Sequence, residues 1–264
     1  MGIFIRKSAV EKEYEKVLRA EEKYLLKKQE KKEGLINRLV SEKVPPKLQG
    51  TLEKAFAKAF SLLFTKGTGI IEKTYNGDKI RKNYLTREAA HEIKNDRKSI
   101  KAFTKSSKNT GRKNLLISGT FGIGTGLIGV GLPDIPVFSS MLLKNIYETA
   151  MQYGFSYKGE KENYFILKLL EGSFSWGDDF VKINEEINRF MENEELPEGY
   201  SEEEEIRNAS VYLSGELLYS KFVQGLPVVG VAGGAYDAVY MKRAADYSVL
   251  KYRQRFLRDK MQRG

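Results

Sequence analysis

Two aspartates stand almost alone in uncharged surroundings, and they offer the sharpest chemistry in the chain. Asp134 is the single charge in the stretch 115–143, LLISGTFGIGTGLIGVGLPDIPVFSSMLL. Asp237 is the single charge between Phe222 and Met241. If the two segments meet, the carboxylates can share a proton or hold a hard cation. The plainer reading, which the local sequence favours, is structural: Asp134 caps the helix that follows it, and Asp237 makes a polar contact to backbone. With their small and rigid neighbours, these residues define a candidate ligand-binding set of Gly126, Asp134, Pro136, Gly230, Gly234 and Asp237.

Other familiar patterns fail on their own requirements. Gly124-Thr125-Gly126-Leu127-Ile128-Gly129 matches G-x-G-x-x-G, but a dinucleotide site needs a long helix after the last glycine, and Pro133 follows four residues on. Gly67 to Thr74 has the outline of a phosphate loop, yet Glu72 stands where a glycine must precede the lysine. His91 is the only histidine and there is no cysteine. Multi-histidine and thiolate metal sites and disulfides are therefore excluded. His91 lies in a charged helical pattern and reads as a surface side chain. The acidic run from Glu192 to Glu205 lacks the spaced Asp, Asn and Gly of a calcium loop and reads as solvated surface. No cofactor is expected.

These residues need a scaffold, and the pattern around them is helical throughout. The glycines between Gly119 and Gly131 would each disfavour an exposed helix by about 1 kcal/mol relative to alanine. Their use makes sense where backbones approach closely. Gly122 and Gly126, and again Gly230 and Gly234, have the four-residue spacing of tightly packed helices. The uncharged run before Pro133 is short and rich in Gly, Ser and Thr, so a buried core is favoured over a membrane span of about 20 apolar residues. Pro133-Asp134-Ile135-Pro136 then starts a helix that Gly154 stops.

Elsewhere, residues 8–32 form a charged helix with a narrow apolar face lying across the surface. Leu52, Ala55, Phe56, Ala59, Phe60, Leu63 and Phe64 follow helical spacing, before Gly67 and Gly69 break the chain. A short helix follows at IIEKTY, and Asn76-Gly77-Asp78 reads as a turn. A lysine-rich helix spans Thr86 to about Asn109 and ends at Gly111. Two helices cover YFILKLLEGSFSW and DDFVKINEEINRFM. Ser201 and Glu204 open another that runs to about Tyr219. No strand pattern of useful length occurs. The expected fold is all-α: one multi-helix domain at 45–264, with two glycine-rich helical elements packed together at its centre, preceded by a charged helical extension at 1–44.

The net charge is +10, unevenly spread. The tail from Lys242 onward is basic, against Asp246 and Asp259. Such a tail can meet anionic lipid or nucleic acid, form a solvated face, or pair with the acidic segment from Asp178 to Glu205. No nucleic-acid recognition motif accompanies it. The opening MGIFIRKSAVEKEYEK turns charged too early for a signal peptide, and Arg6 breaks a myristoylation pattern.

Gly126 and Gly129 ahead of Asp134-Ile135-Pro136, then Ile146 and Tyr153-Gly154, resemble the EcsC family of bacterial proteins. So do Pro227, Gly230, Gly234-Ala235, and the closing Tyr252-Arg253 with Arg255-Phe256-Leu257. The resemblance covers roughly residues 50–260. Asp237 departs from it, since many relatives would carry Asn there. The family is named for a protein encoded beside an ABC transporter linked to secretion and competence. The resemblance implies no established catalytic activity or catalytic residues. It implies a non-enzymatic cytosolic accessory protein at the inner membrane face, meeting a membrane surface or a membrane transporter through the basic C-terminal helix. The alternatives are a lipid or apolar-ligand binding module, with the cavity between the glycine-rich elements, and an enzyme using Asp134 and Asp237.

Overall fold

A computed structural model describes residues 7–29, 46–125, 134–223 and 233–263. In chain order they form α1 (Ala9–Gln29), α2 (Pro46–Leu62), a π-helical turn (Leu63–Gly67), α3 (Thr68–Glu72), α4 (Gly77–Lys94), α5 (Arg97–Thr125), α6 (Ile135–Gln152), α7 (Glu160–Phe174), α8 (Gly177–Asn193), α9 (Glu202–Val223) and α10 (Gly233–Arg263). No strand occurs among the described residues, and the fold is all-α.

Two helices, α6 and α7, form the centre. In α7 every residue from Tyr164 to Phe174 is buried, so the helix has no solvated face. The long α10 lies against α5, α6, α7 and α1, while α2 and α9 pair on another side. Aromatic rings join these layers. Phe138 of α6 meets Tyr240 of α10 edge-on at 6.3 Å, and Phe256 of α10 lies 4.7 Å from Phe103 of α5. The helices that carry the two glycine-rich runs are thus packed together, although residues 126–133 and 224–232 lie outside the described residues.

Local chemistry accounts for the ends of α6. Asp134 Oδ1 accepts from the Val137 amide at 3.1 Å, and proline occupies the first turn. At the other end Gly154 has φ +85°, and a Cβ there would fall 2.3 Å from the Tyr84 ring. Only glycine suits both the left-handed backbone and that contact.

Several boundaries differ from expectation. The lysine-rich helix is two helices. Asn95 closes α4 in the left-handed region, and Asp96 Oδ1 accepts from the Ser99 amide at 2.7 Å as α5 starts. Gly111 does not end α5. It is buried where α5 meets α10, and a Cβ there would rest 3.7 Å from that of Ala245. Asn76 is the N-cap of α4, accepting from the Lys79 amide at 2.8 Å. Gly67 closes a π-helical turn, and Gly69 lies inside α3.

α1 is held by apolar packing and by charges: its Val17 is fully buried, and Tyr24 lies 5.7 Å from the Phe180 ring and 5.3 Å from that of Tyr247. Glu13 accepts from Arg97 and Arg253 at 2.6 and 2.7 Å. Lys28 donates to the carbonyls of Gly172, Ser173 and Ser175 at 3.2, 2.9 and 2.8 Å, where α7 ends. Its ammonium also lies 4.1 Å from the Trp176 ring centre. A cation there meets both the negative helix end and an aromatic face.

Candidate functional site

The six candidate residues are not all within view. Gly126 and Gly230 lie outside the described residues. Gly234 and Asp237 are helical in the first turns of α10, with their side chains outside the description. Asp134 and Pro136 are exposed, and the Asp134 carboxylate performs the capping role already described. The cavity expected between the two glycine-rich runs also lies outside the described residues.

The basic tail turns inward. Arg243 pairs with Glu216, Lys251 with Glu21, Arg253 with Glu13, and Arg255 with both Glu162 and Glu194. Lys260 pairs with Glu88, and Lys242 with Asp246 on the same helix. Among these, Lys251 is completely buried. Burial pushes its ammonium down to about 8, against the pull of Glu21. Burial also opposes charge on Glu21. Lys251, Asn188 and Asn184 outweigh it and hold that carboxyl below its ordinary value.

Cationic surface is found instead on α5. Lys98, Lys101, Lys105, Lys108 and Arg112 are exposed and spaced alternately three and four residues apart, which aligns them along one helix face. None of the five forms an ion pair among the described residues. No acidic residue occurs between Asp96 and Asp134, so nothing within α5 offsets this face. The helix continues from the stripe into the uncharged, glycine-rich sequence.

A second charged centre joins three helices. Lys168 of α7 reaches Glu171 of α7 at 3.0 Å, Glu186 of α8 at 3.0 Å and Glu205 of α9 at 2.8 Å. Burial opposes the Lys168 charge, but the three carboxylates more than reverse that and raise its pKa. Glu171 is only 2 % exposed. Burial raises its carboxyl well above the usual range, Lys168 opposes this, and adjacent Glu205 reinforces it. The group borders a cavity of about 850 Å³ between α7, α8 and α9. Sequence reading missed Lys168, although a Lys and a Glu three apart inside YFILKLLEG, with no polar face to carry them, were a visible signal. The solvated acidic run also needs correcting at its ends: Glu205 belongs to this cluster and Glu194 holds Arg255.

His91 is buried, not on the surface. Ser99 Oγ donates to the Asp96 carbonyl at 2.8 Å, so His91 Nδ1 donates to Ser99 Oγ across 2.9 Å. Burial lowers its pKa, and nearby Lys260 lowers it further. Among the described residues, no cluster of His, Cys, Asp and Glu suits a metal ion, and no helix is long and apolar enough to cross a membrane.

A sequence model described as the EcsC protein family matches residues 8–257. That span takes in α1, which the narrower resemblance over 50–260 left out. No curated protein and no solved structure matches the chain.

Proposed function

Because this chain belongs to the EcsC protein family, we propose that it is a non-enzymatic accessory protein that docks on the anionic inner face of the cell membrane, where it serves an ABC transporter or the secretion apparatus. The docking element is α5, in place of the C-terminal helix. The observation that carries this is the exposed stripe of Lys98, Lys101, Lys105, Lys108 and Arg112, which has no carboxylate partner among the described residues. The tail, by contrast, places most of its cations against carboxylates of the same molecule.

The electrostatics are sufficient. A lysine or arginine near an anionic leaflet contributes about 1 kcal/mol, and the attraction decays within a Debye length of about 8–10 Å at moderate salt. The stripe is one helix face, so all five cations can approach one plane together.

Flotation with phosphatidylglycerol-rich vesicles at low salt tests the proposal. The full chain should float, and raised salt should release it. Neutralising Lys101, Lys105 and Lys108 to Gln removes about 3 kcal/mol, or about a hundredfold in partitioning. Neutralising the exposed Lys242 of α10 should change it far less. Failure of the full chain to associate at low salt, or equal loss from both variants, rejects α5 as the docking face.

A further inference from the structure

We propose that the cavity between α7, α8 and α9 binds a linear polyamine, whose ammonium groups pair with Glu186, Glu205 and the free oxygen of Glu171 and donate to Ser175 Oγ. This stands apart from membrane docking, because it uses other helices and charge of the opposite sign.

The cavity is built in layers. At its floor, Glu171 and Ser175 are each 2 % exposed. Glu171 and Ser175 both line the cavity, and Glu171 Oε1 and Ser175 Oγ have no hydrogen-bond partner. A buried polar atom without a partner costs about 1–3 kcal/mol, so two of them on residues lining one space mark a place where a donor is wanted. An ammonium supplies three donors and no acceptor, which fits a carboxylate oxygen and a hydroxyl lone pair together. Above the floor lie the partly exposed Glu186 and Glu205, and Asp179 and Glu204 stand farther out.

The resident charges narrow the ligand class. Lys168 already sits 2.8–3.0 Å from three carboxylates, so a hard dication has no room at their centre. One ammonium cannot neutralise three carboxylates, and burial together with Glu205 raises the Glu171 carboxyl, which eases part of the excess negative charge. A ligand cation would take over that role. The rings of Tyr200 and Tyr212 also border the cavity, and the Tyr200 hydroxyl has no partner. Such rings suit the methylene segments between spaced ammonium groups. The protein as a whole carries +10, so a polycation is repelled from most of the surface and concentrated here.

Calorimetric titration of the full chain with spermidine at physiological salt tests this. One saturable site is expected. Glu186→Gln should weaken it about tenfold, the usual scale for a charge-assisted hydrogen bond. Glu186 is partly exposed, so the variant should keep its helical circular dichroism. Ser175→Ala supplies a second, smaller loss should Glu186→Gln fail to fold. Acidification should also weaken binding, because each proton taken up by the cluster removes the charge that attracts the ligand. Absence of saturable heat overturns the proposal, as does an unchanged Kd in both variants. It falls equally if magnesium chloride displaces spermidine at equal concentration, since carboxylate charge alone would then explain the binding.

Discussion

Adding a single methyl group at Gly172 tests the packing of the central helix. Gly172 lies within α7, where alanine would ordinarily be favoured over glycine by up to about 1 kcal/mol. Here the new Cβ would fall 2.5 Å from Cε1, 3.0 Å from Cζ and 3.1 Å from the hydroxyl oxygen of Tyr247. Ordinary carbon contacts lie at about 3.5–4.0 Å, so the ring must retreat by about 1 Å. It has little freedom to do so. Tyr247 is fully buried, donates to Asn184 Oδ1 at 2.8 Å, and packs on Tyr24 and Phe180 at 5.3 and 5.5 Å. Overpacking of this kind costs about 1–3 kcal/mol, and loss of the Asn184 bond about 1 kcal/mol more. After the helix gain, Gly172→Ala should destabilise by about 1–3 kcal/mol. For a chain of this size each kcal/mol lowers Tm by about 2–4 °C. Gly215→Ala in α9 is the matched control, because nothing lies within 4 Å of its added Cβ; it should be neutral or stabilising. Urea and thermal unfolding of both variants decide the matter. If Gly172→Ala is as stable as Gly215→Ala, the packing argument for α7 is wrong.

Two further outcomes follow from buried polar groups. Lys251→Met leaves the Glu21 carboxylate enclosed without its cation and should cost about 3–5 kcal/mol in urea unfolding, while adding Glu21→Gln should recover part of that loss. His91, whose folded pKa is depressed by burial, favours the neutral ring. The unfolded chain therefore binds more protons below about pH 6.5, and stability from this group is present above that value and lost as pH falls toward the folded pKa. His91→Asn should flatten that slope in pH-dependent melting; a slope identical to the parent's would show that His91 is not its source.

Much of the fold could be read from local chemistry, because local chemistry fixes it. Asp134, Pro136 and Gly154 delimit α6 through contacts within a few residues, and the apolar spacing from Leu52 to Phe64 makes the buried face of α2. The errors arise where distant packing decides. Gly111 reads as a stop, but Ala245 on a remote helix makes it a close-packing position. His91 is polar with charged neighbours, yet the turn at Asn95–Asp96 brings Ser99 to its ring and closes it off from water. The tail was legible as basic, but the carboxylates that answer it are scattered over the chain, so sequence proximity gave no sign of the pairings. For the candidate site, the role of Asp134 was readable from its place before a helix. Lys168 was not found, because it meets its partners only when three helices assemble.

The position of α10 after every other described helix has a consequence during synthesis. Glu13 and Glu21 precede their partners Arg253 and Lys251 by 240 and 230 residues, and Glu162 precedes Arg255 by 93. A growing chain emerges amino end first, so these acids leave the ribosome long before the bases that match them. Until α10 arrives, enclosing those carboxylates is unfavourable, and the nascent protein keeps them in water. Completion of the native state therefore waits on α10, which acts as a latch on the helices made before it.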